Sequence, residues 1–272
     1  MIFAWLAIGL AVATPAQQQV EYVSPLEKTF YARVVRAELL GEMERKLAAA
    51  GSPELLLEVG QEFAAYRLYG RAIEIFSRGI ESQPDWAPLY RHRGHRYISI
   101  RDFESAKRDL QQAANLDGES VEIQFHLALA YYFAGDFARA RDSFTRCLHL
   151  ATTDDDRIAA SYWLYFTLQR LNEGDDAQEL LDTIHAGMRV EQSAPYLELL
   201  LFHKGLVAEA DVLTEDATER QLATYGYGVA CRYLFEGNER KAHELFRKIV
   251  TGRWWPAFGF IAAEVELIRA GE

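Results

Sequence analysis

Residues 121–154 read VEIQFHLALAYYFAGDFARARDSFTRCLHLATTD, and this stretch decides the fold. The two stretches directly before it, residues 53–86 and 87–120, have the same length and carry the same kinds of side chain at the same places. Small residues recur where two helices must touch, and large apolar residues recur where they fill the space between helices. The period therefore predicts three helix–turn–helix units that stack on one another. Place by place, the recurring residues are Gly60, Gly94 and Ala128; Phe63, Tyr97 and Tyr131; Ala72, Ala106 and Ala140; Phe76, Leu110 and Phe144; Gly79, Ala113 and Cys147.

The chain on either side of these units is also predicted to be helical. Residues 155–272 carry the same pattern in a degenerate form, and residues 255–270 are predicted to form a final capping helix. Before the repeats, Ser24-Pro25-Leu26-Glu27 has the composition of a helix start with a capping box, which predicts an N-terminal helix over residues 24–51. We see no alternating pattern typical of strands. The predicted fold class is an all-α solenoid of helical hairpins with extra helices at both ends.

The N-terminus carries a pattern typical of export. Residues 2–14 are an apolar run, and Ala16 and three glutamines follow it. The run is shorter than the roughly 20 residues that a membrane-spanning helix needs. It therefore predicts a signal peptide over residues 1–16 and a periplasmic or extracellular protein that keeps no stable membrane span after cleavage. One element of a signal peptide is missing, since no Lys or Arg precedes the run. No cysteine directly follows the run, so we expect no lipid anchor. A buried N-terminal helix is the alternative.

Composition and motifs argue against several classes of function. The 40 acidic residues outnumber the 29 basic ones, for a net charge of −11, whereas a nucleic-acid partner is expected to select a basic face. Gly-rich phosphate loops, GxSxG turns and HExxH helices are absent, so we predict neither catalytic residues nor a cofactor. His92 and His95 are only two potential ligands, which predicts no metal site. Cys147 and Cys231 lie about three repeats apart and are not expected to form a disulfide.

The three units resemble the tetratricopeptide repeat (TPR) family at most of its signature places. That resemblance implies a right-handed superhelical solenoid whose concave groove binds a protein or peptide, with an oligomeric state that the sequence leaves unknown. It also implies that the first helix of each repeat lines the groove. The groove residues implied in this way are Arg91, His95 and Ser99 in the second repeat and Phe125, Leu129, Tyr132 and Phe133 in the third.

Two narrower resemblances concern location. Residues 89–99, 101–103, 225–228 and 255–264 are similar to motifs of uncharacterised exported bacterial TPR proteins. The order of elements from Trp163 onward is similar to that of the periplasmic TPR lipoprotein NlpI, an adaptor between envelope proteins. The first resemblance implies an exported bacterial protein and no particular activity. The second implies an adaptor in the bacterial cell envelope, and it assigns no role to a residue of this chain.

The first helix of the third repeat is apolar on all sides. Leu127, Ala128 and Tyr131 form the stripe that faces the repeat core, while Phe125 and Leu129 lie on the opposite stripe. A helix that is apolar all round is normally buried all round. Either a ligand covers the groove side of this helix, or the terminal helices of the same chain cover it.

The second repeat carries a basic island on an acidic protein. Its residues are Arg91, His92, Arg93, His95, Arg96 and Arg101. One hypothesis is that the island binds a carboxylate or phosphate, because the planar guanidinium fork suits such groups. The alternative is a structural network in which these residues pair with acids of neighbouring repeats.

The sequence thus predicts a non-enzymatic scaffold or adaptor that binds a protein segment in its concave groove. A binding protein for an anionic small molecule or a cell-wall fragment, acting through the basic island, is the alternative.

Overall fold

The computed structural model describes residues 19–272. Most of this part of the chain is helical, and consecutive helices contact each other as hairpins. The predicted all-α solenoid is therefore confirmed. The strands are β1 (Val20–Val23) and β2 (Thr29–Tyr31); the helices are α1 (Ala37–Ala49), α2 (Pro53–Ala65), α3 (Tyr69–Ser82), α4 (Ala87–Ser99), α5 (Phe103–Leu116), α6 (Val121–Ala134), α7 (Phe137–Leu150), α8 (Asp154–Arg170), α9 (Gly174–Asp182), α10 (Ala194–His203), α11 (Glu209–Val212), α12 (Glu219–Gln221), α13 (Tyr227–Phe235), α14 (Glu239–Val250) and α15 (Phe258–Arg269), with a π-helical turn at Leu222–Gly226.

The three stretches that share one period form the hairpins α2–α3, α4–α5 and α6–α7. Their small residues allow the two helices of a hairpin to approach closely. A Cβ atom built at Gly60 would lie 2.3 Å from the ring of Phe76, and one at Gly94 would lie 2.7 Å from Leu110. Larger side chains at these two places would push the helices apart. Small residues therefore recur in the sequence at the places where the two helices of a hairpin are in close contact.

The predicted N-terminal helix over residues 24–51 is wrong in its first half, and so is the expectation that the chain forms no strands. The helix α1 begins only at Ala37, and residues 20–31 form an antiparallel hairpin of β1 and β2. Ser24 lies in the turn between the strands, where its backbone N–H donates to the carbonyl of Lys28 at 2.7 Å. Its hydroxyl donates to Glu264 instead of capping a helix. A contact far along the chain thus outweighs the local capping signal.

The C-terminal elements turn back onto the side of the solenoid formed by the first helices of the repeats. Helix α15 contacts α6 and the π-helical turn. The guanidinium of Arg269 donates to the carbonyls of Tyr132 and Phe133 at 2.8 and 3.0 Å. The hydroxyl groups of Tyr132 and Tyr227 are hydrogen-bonded at 2.6 Å. The predicted final helix therefore exists, but it fills part of the groove as well as ending the stack.

The predicted signal peptide over residues 1–16 lies outside the described residues. Across residues 19–272, no helix combines the length and the apolar character needed to cross a membrane.

Candidate functional site

The predicted groove residues of the third repeat are mostly covered by the chain itself. Leu129, Tyr132 and Phe133 are buried, with exposed fractions of 0%, 1% and 2%. Phe125 is only partly buried, and its ring lies 6.4 Å from that of Phe258 in the C-terminal segment. The structure thus places these side chains in the self-buried arrangement, because the C-terminal helices supply the apolar cover that an open groove would need from a partner.

The predicted groove residues of the second repeat have three different environments. Ser99 is buried, and its hydroxyl donates to the carbonyl of His95 at 3.1 Å. Arg91 forms an ion pair with Glu122 at 3.2 Å. His95 faces a cavity, and it is the one of the three that is placed to meet a ligand.

Most arginines of the basic island form a structural network. Arg93 makes a two-pronged ion pair with Asp109 at 2.6 and 2.7 Å. Arg101 pairs with Glu264 at 2.7 Å, and both side chains are almost fully buried. Three arginines of the island thus pair with acidic side chains of the chain itself, but only Glu122 lies in a neighbouring repeat; Asp109 belongs to the same repeat and Glu264 to α15.

Arg96 differs from the other island arginines. Its Nε is buried and has no hydrogen-bond partner within residues 19–272, and the guanidinium forms no ion pair there. Its Cζ lies 5.1 Å from the centroid of the Tyr69 ring, a cation–π contact that orients the group without neutralising it. Burial lowers the pKa of Arg96 to about 10; the nearby Tyr69 opposes this shift and Arg91 adds to it. Arg96 therefore remains a buried cation without an acidic partner in the described chain.

The Tyr69 ring that Arg96 contacts lines a cavity of about 430 Å³, which lies between the first two repeats and the C-terminal segment. We call it the cationic cavity. Three arginines from separate parts of the chain line it together with His95, and all of its lining residues lie within the described range without an Asp or Glu among them. The arginines are Arg33, Arg67 and Arg220, and the aromatic walls are Tyr69, Tyr162, Trp163, Tyr196, Trp254 and Phe258.

Two neighbouring cavities share walls with the cationic cavity. One, of about 630 Å³, shares Arg33 and Arg67; the other, of about 550 Å³, shares Tyr196, Arg220 and Thr224. Their lining residues, again all within residues 19–272, include no acidic side chain. We call the three together the three-cavity groove. Its extent suits an elongated ligand, and its charge is opposite to that of the protein as a whole.

Tryptophan rings hold the cavity arginines in place. The Cζ of Arg67 lies 5.6 Å from the centroid of Trp254 and 5.9 Å from that of Trp255. The Cζ of Arg220 lies 5.6 Å from the same Trp254 ring. Trp254 is therefore flanked by two guanidiniums, and these contacts fix their positions while leaving their charges unneutralised.

Arg67 also has an unusual backbone. Its φ is 60°, in the left-handed region, and it occupies the turn place at which the third repeat has Gly135 with a φ of 84°. Glycine takes this conformation without steric cost, whereas a residue with a Cβ does not. Arg101 occupies the same place in the second repeat with a φ of 63° and pairs with Glu264, so an arginine at this turn could not by itself have identified Arg67 as a cavity residue. Arg33, Arg220 and Trp254 come from segments outside the three repeats, and the period could not have found them.

The histidines near the cavity are neutral at ordinary pH. The rings of His95 and His126 lie 4.3 Å apart. Burial, followed by the charge of Arg91, lowers the pKa of both His92 and His126 to about 3. Burial, followed by the charge of Arg96, also lowers the pKa of His95. Among residues 19–272, no group of three or more His, Cys, Asp or Glu side chains is placed to hold a metal ion.

The cysteine thiols are poorly suited to nucleophilic chemistry. Burial raises the pKa of Cys147 to about 12, and it also raises that of Cys231. Since the thiolate is the reactive form, both side chains behave as small apolar residues.

Comparison with known proteins identifies the repeat. Residues 121–154 match the sequence family described as tetratricopeptide repeat. The chain is 22% identical over 172 residues to human tetratricopeptide repeat protein 12, a match that covers 63% of this chain and 24% of the relative. This chain thus spans about a quarter of that relative's length. The similarity to NlpI stays a prediction.

Solved structures support the same fold. A tetratricopeptide repeat protein from Parabacteroides merdae superposes with a TM-score of 0.55 at 15% identity, covering 84% of this chain and 90% of that one. PilW, described as a widely conserved type IV pilus biogenesis factor, superposes with a TM-score of 0.51 at 15% identity, covering 80% and 98%. At these identities the similarity shows the fold alone.

Proposed function

Because this chain is a tetratricopeptide-repeat protein, we propose that it is a non-enzymatic adaptor that binds a segment of a partner polypeptide in the three-cavity groove. Stacked repeats of this kind present extended concave surfaces to their partners. In this chain α15 already covers the groove side of α6. We therefore propose that the partner segment binds at the opening beside the first two repeats and not on the third repeat.

The observation that carries the proposal is that the three cavities adjoin one another. They share walls at Arg33 and Arg67 on one side and at Tyr196, Arg220 and Thr224 on the other. An extended polypeptide needs such a row of adjoining depressions, each accepting one or two side chains. Aromatic and arginine side chains line them, and these residue types are enriched where binding energy is concentrated.

We extend the proposal to location and place the protein in the bacterial cell envelope, exported by its N-terminal segment. The support is the apolar run at residues 2–14 with Ala16 after it. Sequencing the N-terminus of the mature protein from the native host, together with fractionation of the cells, checks this. An N-terminus at Met1 in a cytosolic fraction would contradict it.

The binding proposal is tested by filling the groove. Thr224 lies at the wall shared by two of the cavities, and Thr224→Trp places an indole there. The control is Thr152→Trp, the same change at an exposed threonine between α7 and α8. The wild-type protein is used to select peptides from a random dodecapeptide library, and their dissociation constants are measured for all three proteins.

We expect selected peptides to bind Thr224→Trp at least about tenfold more weakly, a loss of roughly 1.4 kcal/mol. Thr152→Trp should bind them as the wild type does. Circular dichroism establishes that both variants are folded. Equal affinity of a folded Thr224→Trp variant, or failure to select any peptide, would contradict binding in this groove.

A small anionic ligand is the second candidate function. The volume of the cationic cavity, about 430 Å³, falls within the range of about 300–1,000 Å³ typical of small-molecule sites. This candidate predicts anion binding without peptide binding.

A further inference from the structure

The charge of the cationic cavity is uncompensated on a protein with a net charge of −11. Within residues 19–272, none of Arg33, Arg67 and Arg220 forms an ion pair with an acidic side chain, although other arginines there do. Burial lowers the pKa of Arg67, the nearby Tyr69 opposes this shift, and the charge of Arg33 adds to it. Arg33 is exposed, so water and salt screen part of its repulsion with the partly buried Arg67, and a bound anion would relieve the rest.

A buried N–H group that lines the cavity also has no partner. It is the Nε1 of Trp163, whose indole is 0% exposed. The Tyr196 hydroxyl is near this group, but no hydrogen bond of normal geometry joins them in the described chain. The indole N–H is a donor only, and a buried donor without an acceptor costs about 1–3 kcal/mol. A ligand in the cavity that supplies an acceptor would therefore satisfy it.

The contacts of Arg67 leave its charge free. The guanidinium donates to the carbonyl of Arg253 at 3.2 Å, and this single hydrogen bond to a neutral group at an exposed position supplies no acidic partner.

We propose that the cationic cavity binds an oxyanion group of its ligand, a carboxylate or a phosphate, through Arg67 and Arg33, with the indole N–H of Trp163 as a further donor. This deepens the proposed function, since it rests on the same groove and states the chemistry of the segment that enters it. Carboxylates and phosphates offer several acceptor oxygens in the geometry that guanidinium groups match. Tyr69, Tyr162 and Phe258 supply flat apolar walls for the part of the ligand next to the anion.

The test uses three small probes on the full chain: phenyl phosphate, phenylacetate and the neutral 2-phenylethanol. The ring is common to all three, so differences in dissociation constant report the anionic group. We expect at least one anionic probe to bind at least about tenfold more tightly than the alcohol, and added salt to weaken it. A preference between the two anions tells a phosphate-bearing ligand from a carboxylate-bearing one. Equal binding of all three probes overturns the proposal.

The role of Arg67 in binding the anion is tested with Arg67→Asn. Asparagine is chosen because it tolerates the left-handed backbone conformation. Its control is Arg189→Asn, which removes the same charge from the exposed loop between α9 and α10. We expect Arg67→Asn to weaken the better anionic probe at least about fivefold, leave the alcohol unchanged and keep the fold. Arg189→Asn should bind as the wild type does. Unchanged anion binding in a folded Arg67→Asn variant overturns the assignment.

A second readout follows the proposed indole donor directly. The Nε1–H resonance of Trp163 in the wild-type protein is followed by NMR during titration with phenyl phosphate, and Trp163→Phe assigns the signal. This resonance should shift with the probe, because the indole lines the cavity. A resonance that stays fixed while phenyl phosphate binds would show that the anion does not reach Trp163.

The outcomes separate this inference from the proposed function. If peptides bind in a manner sensitive to Thr224→Trp but are insensitive to Arg67→Asn, the adaptor stands and the oxyanion site falls. If anionic probes bind and no peptide is selected, the oxyanion site stands and the small-ligand candidate replaces the adaptor. If neither binds, both proposals fall.

Discussion

The carboxylate of Glu264 joins the two ends of the chain through a few buried contacts. It accepts a hydrogen bond from Ser24 in the N-terminal hairpin and forms an ion pair with Arg101 at 2.7 Å. The Arg101 guanidinium also donates to the carbonyl of Trp255 at 2.9 Å. Since the exposed fractions of the Arg101 and Glu264 side chains are 4% and 1%, neither charge has water as an alternative partner.

Replacing this carboxylate should therefore be costly. We expect Glu264→Ala to lower the free energy of unfolding by about 3–5 kcal/mol, because it leaves a buried guanidinium without its counter-charge. Urea denaturation measures the change. The control is Glu244→Ala. Glu244 forms an ion pair with Arg240, and the exposed fractions of these two side chains are 53% and 76%. Losing this exposed pair should lower the free energy of unfolding by at most about 1 kcal/mol. Similar losses in the two variants would show that the Glu264 contact is not buried in solution.

Among the elements, the first turn of α8 organises the loop that precedes α10. The Asp155 carboxylate accepts hydrogen bonds from the backbone N–H groups of Glu191, Gln192 and Ser193, at 3.0, 2.9 and 2.7 Å. Burial acts to raise the pKa of Asp155, but these N–H groups outweigh it and hold the pKa below its ordinary value. The ionised form is thus the one that holds the loop against α8.

The sign of the pH dependence follows from this lowered pKa. The contribution of Asp155 is fully present above the ordinary Asp pKa of about 3.9 and is lost as the pH falls through the lower, folded-state pKa. We expect Asp155→Ala to reduce amide protection at residues 191–193 at pH 7, and the difference from wild type to vanish in acid. Hydrogen exchange measures this. Asp176→Ala, an exposed first-turn change in α9, should leave these amides unaffected, and an equal effect would refute the assignment.

On the scale of the whole molecule, the solenoid is closed by contacts between its ends. An open solenoid has contacts only between neighbouring repeats, and its ends unfold locally. Here the ring of Trp255, near the C-terminus, lies 5.4 Å from Phe30 in the N-terminal hairpin and 5.4 Å from Tyr69 in the first repeat. The closure couples segments that are distant in sequence, and it also builds the walls of the cationic cavity.

Because the two ends are in contact, we expect a substitution near the C-terminus to destabilise the N-terminal hairpin as well. Trp255→Ala removes a buried indole and should lower the free energy of unfolding by about 3–5 kcal/mol. Hydrogen exchange should increase in β1 and β2 as well as in α15. Trp254→Ala, the neighbouring and more exposed tryptophan, should have a smaller and local effect. Unchanged protection of the N-terminal hairpin in Trp255→Ala would show that the ends are not coupled.

Some residues of the candidate site could be predicted from the repeat pattern, and others could not. His95 was identified from its place in the repeat, and it does line the cavity. Leu129, Tyr132 and Phe133 were identified by the same rule, but the later helices of the chain cover this side of α6 and these side chains are buried. The rule describes an open groove, and it has no means of detecting a helix that returns from the far end of the chain.

The sequence by itself determined the helical hairpins and their stacking, because each hairpin is held by contacts between residues a few turns apart, such as Gly60 with Phe76. Only the tertiary structure decided the N-terminal strands, the filled groove and the cationic cavity. Those features depend on pairs such as Ser24 with Glu264 and Arg101 with Glu264, separated by 240 and 163 residues. A repeat period records local packing, whereas contacts over such separations leave no periodic signal and form only when the two ends of the chain meet.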